Sequence, residues 1–303
     1  MITFGEALFR FSTLKGERLR SASRLDFHLG GTEFNVAANL KSLGIPAQWV
    51  SVVPDGMIGD LIIDRIHATG LTTDFVKRAH GRAGWYMLET GTEPRPDHVI
   101  SRNSSVLAEA AVEIEWEKVF DGAEVFHTSG VTAGLSEKCT ADVANAMITA
   151  KKLGLQVSYD FNFRANLWSI EEAVRRQKPL LEHVDVLFCG RQEIDLFFEG
   201  KKPTSVFDHI VMSERGEGER GYRIEISSGN EVARSKTFEF ERVDRIGVGD
   251  SMTAGFWAAK LAGKSLEETA DFAAAAGAMK YSIPGDVALL KHSEVSKLVK
   301  DGY

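Results

Sequence analysis

The chain has 303 residues, 44% of them hydrophobic and 26% charged, the make-up of a globular protein with a large core rather than of a disordered or fibrous one. A formal net charge of -7 argues against nucleic acid as the main partner, because that footprint is basic, and no run of about 18 apolar residues offers a membrane span. Two cysteines, Cys139 and Cys189, make neither a disulfide framework nor a zinc cluster, and the N-terminus lacks a signal pattern, so two buried thiols in a reducing cytoplasm are expected.

In chain order, "MITFGEAL" (1–8) predicts a short buried strand. "FNVAANLKSLG" (34–44) predicts a helix stopped by glycine, "AQWVSVVP" (47–54) a strand, and "GDLIIDRIHATG" (59–70) another helix. The rhythm returns with strands at 123–130, 156–163, 184–190 and 209–214 and helices at 136–154, 169–183 and 191–200. Strands alternating with helices of this length imply a three-layer α/β fold, a mostly parallel sheet with helices on both faces, whose ligands bind beyond the carboxyl ends of the strands. Two stretches break the pattern. Residues 8–30 and 82–103 alternate polar and apolar positions between turn residues, and are expected to meet as a small sheet outside the main one, a lid inserted into a single domain spanning 1–303. The alanine run at 273–278 reads as a tightly packed helix. His28, His98 and His127 lack metal-ligand spacing and receive no role.

Chemistry concentrates in "DRIGVGDSMTAG" (244–255). Gly247 and Gly249 lead into Asp250 at the start of a helical run, where unsatisfied N–H groups and the positive dipole end favour phosphate. Asp250 is also compatible with plain helix capping. The first strand has no G-x-G-x-x-G after it, and "GVGDSMT" lacks the Lys-Ser/Thr ending of a Walker A loop, which leaves a Rossmann dehydrogenase and a P-loop enzyme without support.

"GGTEFNVAANLKSLG" and "DRIGVGDSMTAGF" together resemble the two signatures of the ribokinase-like (PfkB) sugar kinases, and the resemblance runs over essentially the whole chain. "GWYMLE", "ISRNSS", "FNFRANLW" and "YSIPGD" are most similar to the 2-keto-3-deoxygluconate kinases. The resemblance implies an ATP-dependent kinase of a sugar acid with Asp250 as catalytic base and the backbone of Gly247, Val248 and Gly249 as an anion hole. It implies substrate contacts at Gly30, Gly31, Asn35, Tyr86, Arg102 and Arg164, with the arginines on the substrate carboxylate. Nucleotide contacts fall at Asn162, Glu193, Ser213, Gly247, Gly249, Ala276 and Ser282. Mg²⁺ is expected with the nucleotide, and K⁺ in a loop containing Asp244 and Ile246. Pairing of lid edges would make a homodimer or higher homo-oligomer.

The chain departs from the family pattern at three places. Val248 replaces an alanine and is expected to crowd the phosphate. Gly190 replaces the asparagine of an N-x-x-E motif that retains Glu193. Only 201–208 separates a helix from the next strand where relatives have a further helix, and "SERGEGERG" (213–221) lacks their glycine motif. A neutral-sugar kinase such as a fructokinase, and a sugar- or nucleotide-binding protein with weakened phosphotransfer, are the alternatives.

Overall fold

Strands and helices alternate from the first residues of the computed structural model, which describes residues 1–90, 98–215 and 221–302. β1 (Ile2–Phe4) is followed by β2 (Leu8–Ser12), β3 (Asp26–Gly30), α1 (Thr32–Ser42), β4 (Gln48–Pro54), α2 (Gly56–His67) and β5 (Val76–Ala79). β6 (Gly84–Leu88) and β7 (His98–Ser101) precede two single-turn helices, α3 (Val106–Glu109) and α4 (Trp116–Val119). Next come β8 (Val125–Ser129), the one-turn α5 (Gly130–Ala133), α6 (Glu137–Lys152), β9 (Gln156–Asp160), α7 (Ile170–Gln177), β10 (Val186–Cys189) and α8 (Arg191–Phe198). β11 (His209–Arg215), β12 (Gly221–Ser228), β13 (Glu231–Arg234) and β14 (Phe238–Glu239) lead to α9 (Val248–Leu261), α10 (Leu266–Lys280) and α11 (His292–Asp301).

The main sheet runs in the order β13-β12-β11-β10-β9-β8-β1-β4-β5, with β14 also on β12, and every pairing from β11 to β5 is parallel. The antiparallel edge β12–β14 received no element from the sequence pattern. Its signal is the "SSGNE" turn, in which Gly229 takes φ 55° inside a two-residue hairpin between the paired Ser228 and Glu231. The two irregular stretches do meet in a second sheet, ordered β3-β2-β6-β7. The predicted helix at 169–183 stops at Gln177 and continues as a 3₁₀ turn over 178–183, because Pro179 has no N–H to give an α-helix. Residues 201–208 hold no helix, as expected, while residues 91–97 of the second lid stretch and 216–220 of "SERGEGERG" lie outside the described residues.

Alternation along the strands sends side chains to two cores, one on each face of the sheet. Trp49, Val53, Val186, Phe188 and Val211 join the core under α1, α9 and α10, whereas Val50, Val52, Leu187, Cys189 and Ile210 join the one under α4, α6 and α7. Cys139 and Cys189 are free and buried. α9 is buried on all sides, from Val248 to Ala259, as befits a helix wedged between the sheet and two other helices. Small residues permit this: Ala273, Ala274, Ala275 and Ala276 are fully buried, and a Cβ on Gly255 would stand 2.9 Å from the Ala276 Cβ and 3.0 Å from the Ala273 Cα. Among the described residues no helix is long and apolar enough to cross a membrane.

Gly255→Val forces α9 and α10 apart, and urea unfolding is expected to show a loss of roughly 1–3 kcal/mol, the usual cost of overpacking.

Candidate active site

From β1 the chain builds outward to β4 and β5 on one side, then returns to β8 and continues through β9, β10 and β11 on the other. The strand order therefore reverses at β1 and β8, and a crevice opens beyond their carboxyl ends. Three segments converge there: Glu6 after β1, the start of α1, and the start of α9.

The start of α9 supplies the central acid. Gly247 takes φ 81° as the N-cap residue and no side chain caps the helix, so its first N–H groups remain available to a ligand. Asp250 lies in this first turn at 8% exposure, and Asn35 Nδ2 of α1 donates to its Oδ2 at 2.6 Å. Burial raises the Asp250 pKa to about 7; the Asn35 amide draws it back, while Glu33 and Asp286 add to the rise. Glu33 is itself buried at the same end of the sheet, accepting from Ser129 Oγ at 2.6 Å and Thr132 Oγ1 at 2.8 Å, and burial raises its pKa. Asn35 Oδ1, by contrast, is buried without a partner. The amide orientation is fixed by its neighbour, since only the NH₂ end can donate to a carboxylate.

The three glycines around this acid answer to different neighbours. At Gly247 a Cβ would come 1.9 Å from the Asp286 carbonyl oxygen, at Gly30 2.2 Å from Asp286 Oδ1, and at Gly249 it would meet no protein atom within 4 Å. Packing explains the first two. No described residue requires a glycine at 249, on a turn that no described side chain caps.

Positive charge reaches the crevice from two arginines. Arg164, after β9, is exposed, and among the described residues its guanidinium donates only to the neighbouring Phe163 carbonyl at 3.2 Å, with Asp160, Asp250, Arg102 and Glu193 all within electrostatic reach. Arg102, after β7, is committed to Glu6 Oε2 through Nη2 at 2.7 Å and Nε at 3.1 Å. An acid near neutrality, an uncapped helix start and a free arginine at a switch point suit the transfer of an anionic group to a hydroxyl.

Residues 1–291 match the model of the pfkB family carbohydrate kinases. The chain belongs to that family. This pfkB kinase is 30% identical over 313 residues to a 2-dehydro-3-deoxygalactonokinase of Haloferax volcanii, an alignment covering 100% of this chain and 97% of that protein. The crystal structure of a 2-dehydro-3-deoxygluconokinase from Thermotoga maritima superposes with a TM-score of 0.94 at 31% identity, covering 99% of this chain and 97% of that one. A fructokinase with bound ATP from Xylella fastidiosa follows the same fold with a TM-score of 0.81 at 21% identity, over 99% of this chain and 98% of that one.

The pfkB kinase brings some expected residues together and leaves others apart. Gly247, Gly249, Asp250, Asn35 and Arg164 share the crevice. Gly31, at the start of α1, is held by packing, for its Cβ would stand 2.0 Å from the Glu6 carbonyl oxygen. Tyr86 is buried with its hydroxyl donating to Asp286 Oδ1. Asn162 takes the left-handed φ of 41°, uncommon without glycine, and its Nδ2 lies 3.3 Å from Asp160 Oδ2. Glu193 Oε2 accepts from the Gly190 N–H at 2.7 Å, so that oxygen closes the first turn of α8. Ser213 pairs with Ile224 inside the sheet, and the exposed Ser282 donates to Met279 O at 2.8 Å.

Two expectations need correction. Ala276 is fully buried between α10 and α9, where its carbonyl accepts from Ser251 Oγ at 3.0 Å, and it has no surface to offer a nucleotide. Val248 does not crowd a phosphate: its side chain is 1% exposed and belongs to the core. Other residues escaped the sequence reading. Arg10, Glu6, Asp160, Lys280 and Asp286 border the site, and the readable signals were an arginine inside the apolar strand "LFRFS" and a lone lysine ending the helix "AAAAGAMK".

Gly249→Ala should keep or slightly raise the melting temperature, since Ala outdoes Gly in a helix by roughly 0.5–1 kcal/mol, yet lose most turnover. Val248→Ala should do the reverse, with turnover near normal and stability lower by about 2 kcal/mol for two buried methyl groups and their cavity. Thermal melts beside a coupled ADP-release assay separate the two.

Proposed function

We propose that this kinase transfers the γ-phosphoryl group of ATP to a hydroxyl of a 2-keto-3-deoxy sugar acid, 2-keto-3-deoxygluconate in first place, giving the 6-phosphate. The observation that carries the reading is Asp250, a buried carboxylate titrating at about 7 in the first turn of an uncapped helix. Asn35 Nδ2 holds one carboxylate oxygen and leaves the other to take the proton from the attacking hydroxyl, while the orphan Asn35 Oδ1 accepts from a sugar hydroxyl. The α9 N–H groups receive the phosphoryl oxygens on the open side of Gly249.

Mg²⁺ would neutralise phosphate charge here. Burial, Glu193 and Asp250 together drive the Asp160 pKa well up, an accumulation of like charge that a cation relieves, so Asp160 and Glu193 are its candidate protein partners. Among the described residues no three or more His, Cys, Asp or Glu form a metal site on their own. The sugar-acid reading rests on Arg164, whose free guanidinium suits a carboxylate that fructose lacks. A weakened binding protein loses one of its two motives now that Val248 points into the core. The small sheet serves as the lid of a single domain; on one face Phe11, Phe27 and Trp85 pack partly against the core of this chain, and the part of that face with Met87 and the 54% exposed Val99 suits pairing into a homodimer. Two free thiols suit a cytoplasmic setting.

Asp250→Asn is expected to cut kcat by about 10²–10⁴-fold with the fold intact, and wild-type kcat/KM to rise with pH through about 7 as the base ionises. The stability sign is opposite. A carboxyl whose folded pKa is raised from 3.8 makes the wild type progressively less stable between about pH 4 and 7, a loss absent from Asp250→Asn, so the variant melts higher at pH 8 than the wild type does. Near-normal turnover in Asp250→Asn would remove the base. Arg164→Leu is expected to raise KM for 2-keto-3-deoxygluconate at least about tenfold, the worth of one charged hydrogen bond, with little change on neutral ketoses. Equal damage to both substrates would hand the site to a neutral sugar.

A further inference from the structure

The loop holding Asp244 and Ile246 is where a monovalent cation is expected from the family resemblance, and the residues there do not fit one. The Asp244 carboxylate already has three donors: Oδ2 accepts from Arg10 Nη2 at 2.5 Å and Gly285 N at 3.0 Å, and Oδ1 from Ile246 N at 3.0 Å. The facing loop, 281–286, would have to supply carbonyl oxygens, and the Ile283 carbonyl already accepts from Lys280 Nζ at 2.8 Å. Lys280 is 0% exposed, at the last turn of α10. Its Cε lies 3.3 Å from where a Cβ on Gly247 would stand, so its end abuts the turn that begins the anion hole.

We propose that the Lys280 ammonium is this kinase's built-in cation: it fills the space between the 244–247 and 281–286 loops, sets a fixed positive charge behind the 247–249 turn, and removes any requirement for K⁺. The inference rests on the phosphotransfer reading of that turn. Lys280 is a positioning residue, acting through the backbone of Gly247 on the phosphoryl group that the turn receives.

The surroundings keep the charge in place. Asp244 and Asp286 face Lys280 from the two loops, Arg10 from β2 opposes it, and Asp250 lies further along α9. Burial, with Arg10 adding to it, lowers the lysine pKa, and the three acids act against that fall. A neutral amine would leave Asp244 and Asp286 sharing one guanidinium. A hydrated K⁺ would have to displace the ammonium from Ile283 O and enter a space already occupied by a covalently tethered charge, so the protein gains nothing by binding one.

The test uses the full chain, with melting temperature and calorimetric affinity for a non-hydrolysable ATP analogue measured at constant Mg²⁺ in KCl and in tetramethylammonium chloride. The wild type should give the same values in both salts. Lys280→Met should bind the analogue about tenfold or more weakly in tetramethylammonium, as loss of a nearby charge in a poorly solvated site requires. K⁺ or methylammonium, able to enter the vacated space, should restore much of that loss. Rescue by small cations distinguishes a missing charge from damaged packing. If Lys280→Met does not fold, the wild-type salt comparison decides alone. A wild type that melts higher or binds the analogue more tightly in KCl overturns the proposal, as does a folded Lys280→Met with wild-type affinity in both salts. Failure of the wild type to bind the analogue in either salt overturns the phosphotransfer reading instead.

Discussion

One buried guanidinium ties the separate parts of this kinase together. Arg10, at 1% exposure in β2 of the small sheet, donates to Asp244 before the turn that begins α9, to Asp286 at 3.2 Å in the C-terminal loop, and through Nε to Ser12 at 2.7 Å. Burial works against its charge, and Asp286, Tyr86 and Asp244 outweigh that opposition and keep it protonated. Asp286 in turn receives Tyr86 and presses its carboxylate against Gly30 and its carbonyl against Gly247. Both glycine motifs and the small sheet are thereby placed relative to one residue. A buried cluster of this kind is a poor source of net stability, because desolvation offsets most of the attraction, but breaking one partner leaves the rest exposed to the full penalty. Its contribution is registration of the small sheet over the site.

The environment of Asp250 shows two opposed demands. A helix start favours the ionised form of an acid through its dipole and free N–H groups. Burial beside Glu33 and Asp286 favours the protonated form, and the balance falls near neutrality. A base poised there is ionised often enough to accept a proton and basic enough to hold it. The same crowding of negative charge requires positive partners, and the structure provides Arg10 and Lys280 on one side and Arg164 on the other.

Much of this was legible in the chain. The alternation of helical and strand patterns led to the parallel sheet, and the irregular stretches led to the second sheet, because periodicity reports which face is buried. The motifs pointed to Asp250, Asn35 and Arg164, and the fold brings these three to one crevice. What escaped were contacts between residues far apart in sequence. Nothing local to "LFRFS" says that Arg10 reaches Asp244 and Asp286, and nothing local to Val248 says that its methyl groups turn into the core. Arg102 is implied by its motif to be a substrate contact, but the motif does not show that Glu6, 96 residues away, holds its guanidinium. Single-residue packing, as at Ala276, is likewise decided by the opposing helix rather than by the run in which the residue lies.

The hydrogen bond from Asn35 to Asp250 joins residues 215 apart. Segments near residues 5, 35, 102, 164, 250 and 286 must all be in position before the crevice exists, so its assembly carries the entropic cost of closing very long loops. Early in synthesis the strands around β1 can pair, yet the acid and its cationic support are still to come. The nascent chain thus has no partly competent stage. Phosphotransfer switches on as a late event of folding, and a chain stalled before α9 docks exposes the apolar bed of that helix to chaperones rather than a half-working site to substrate.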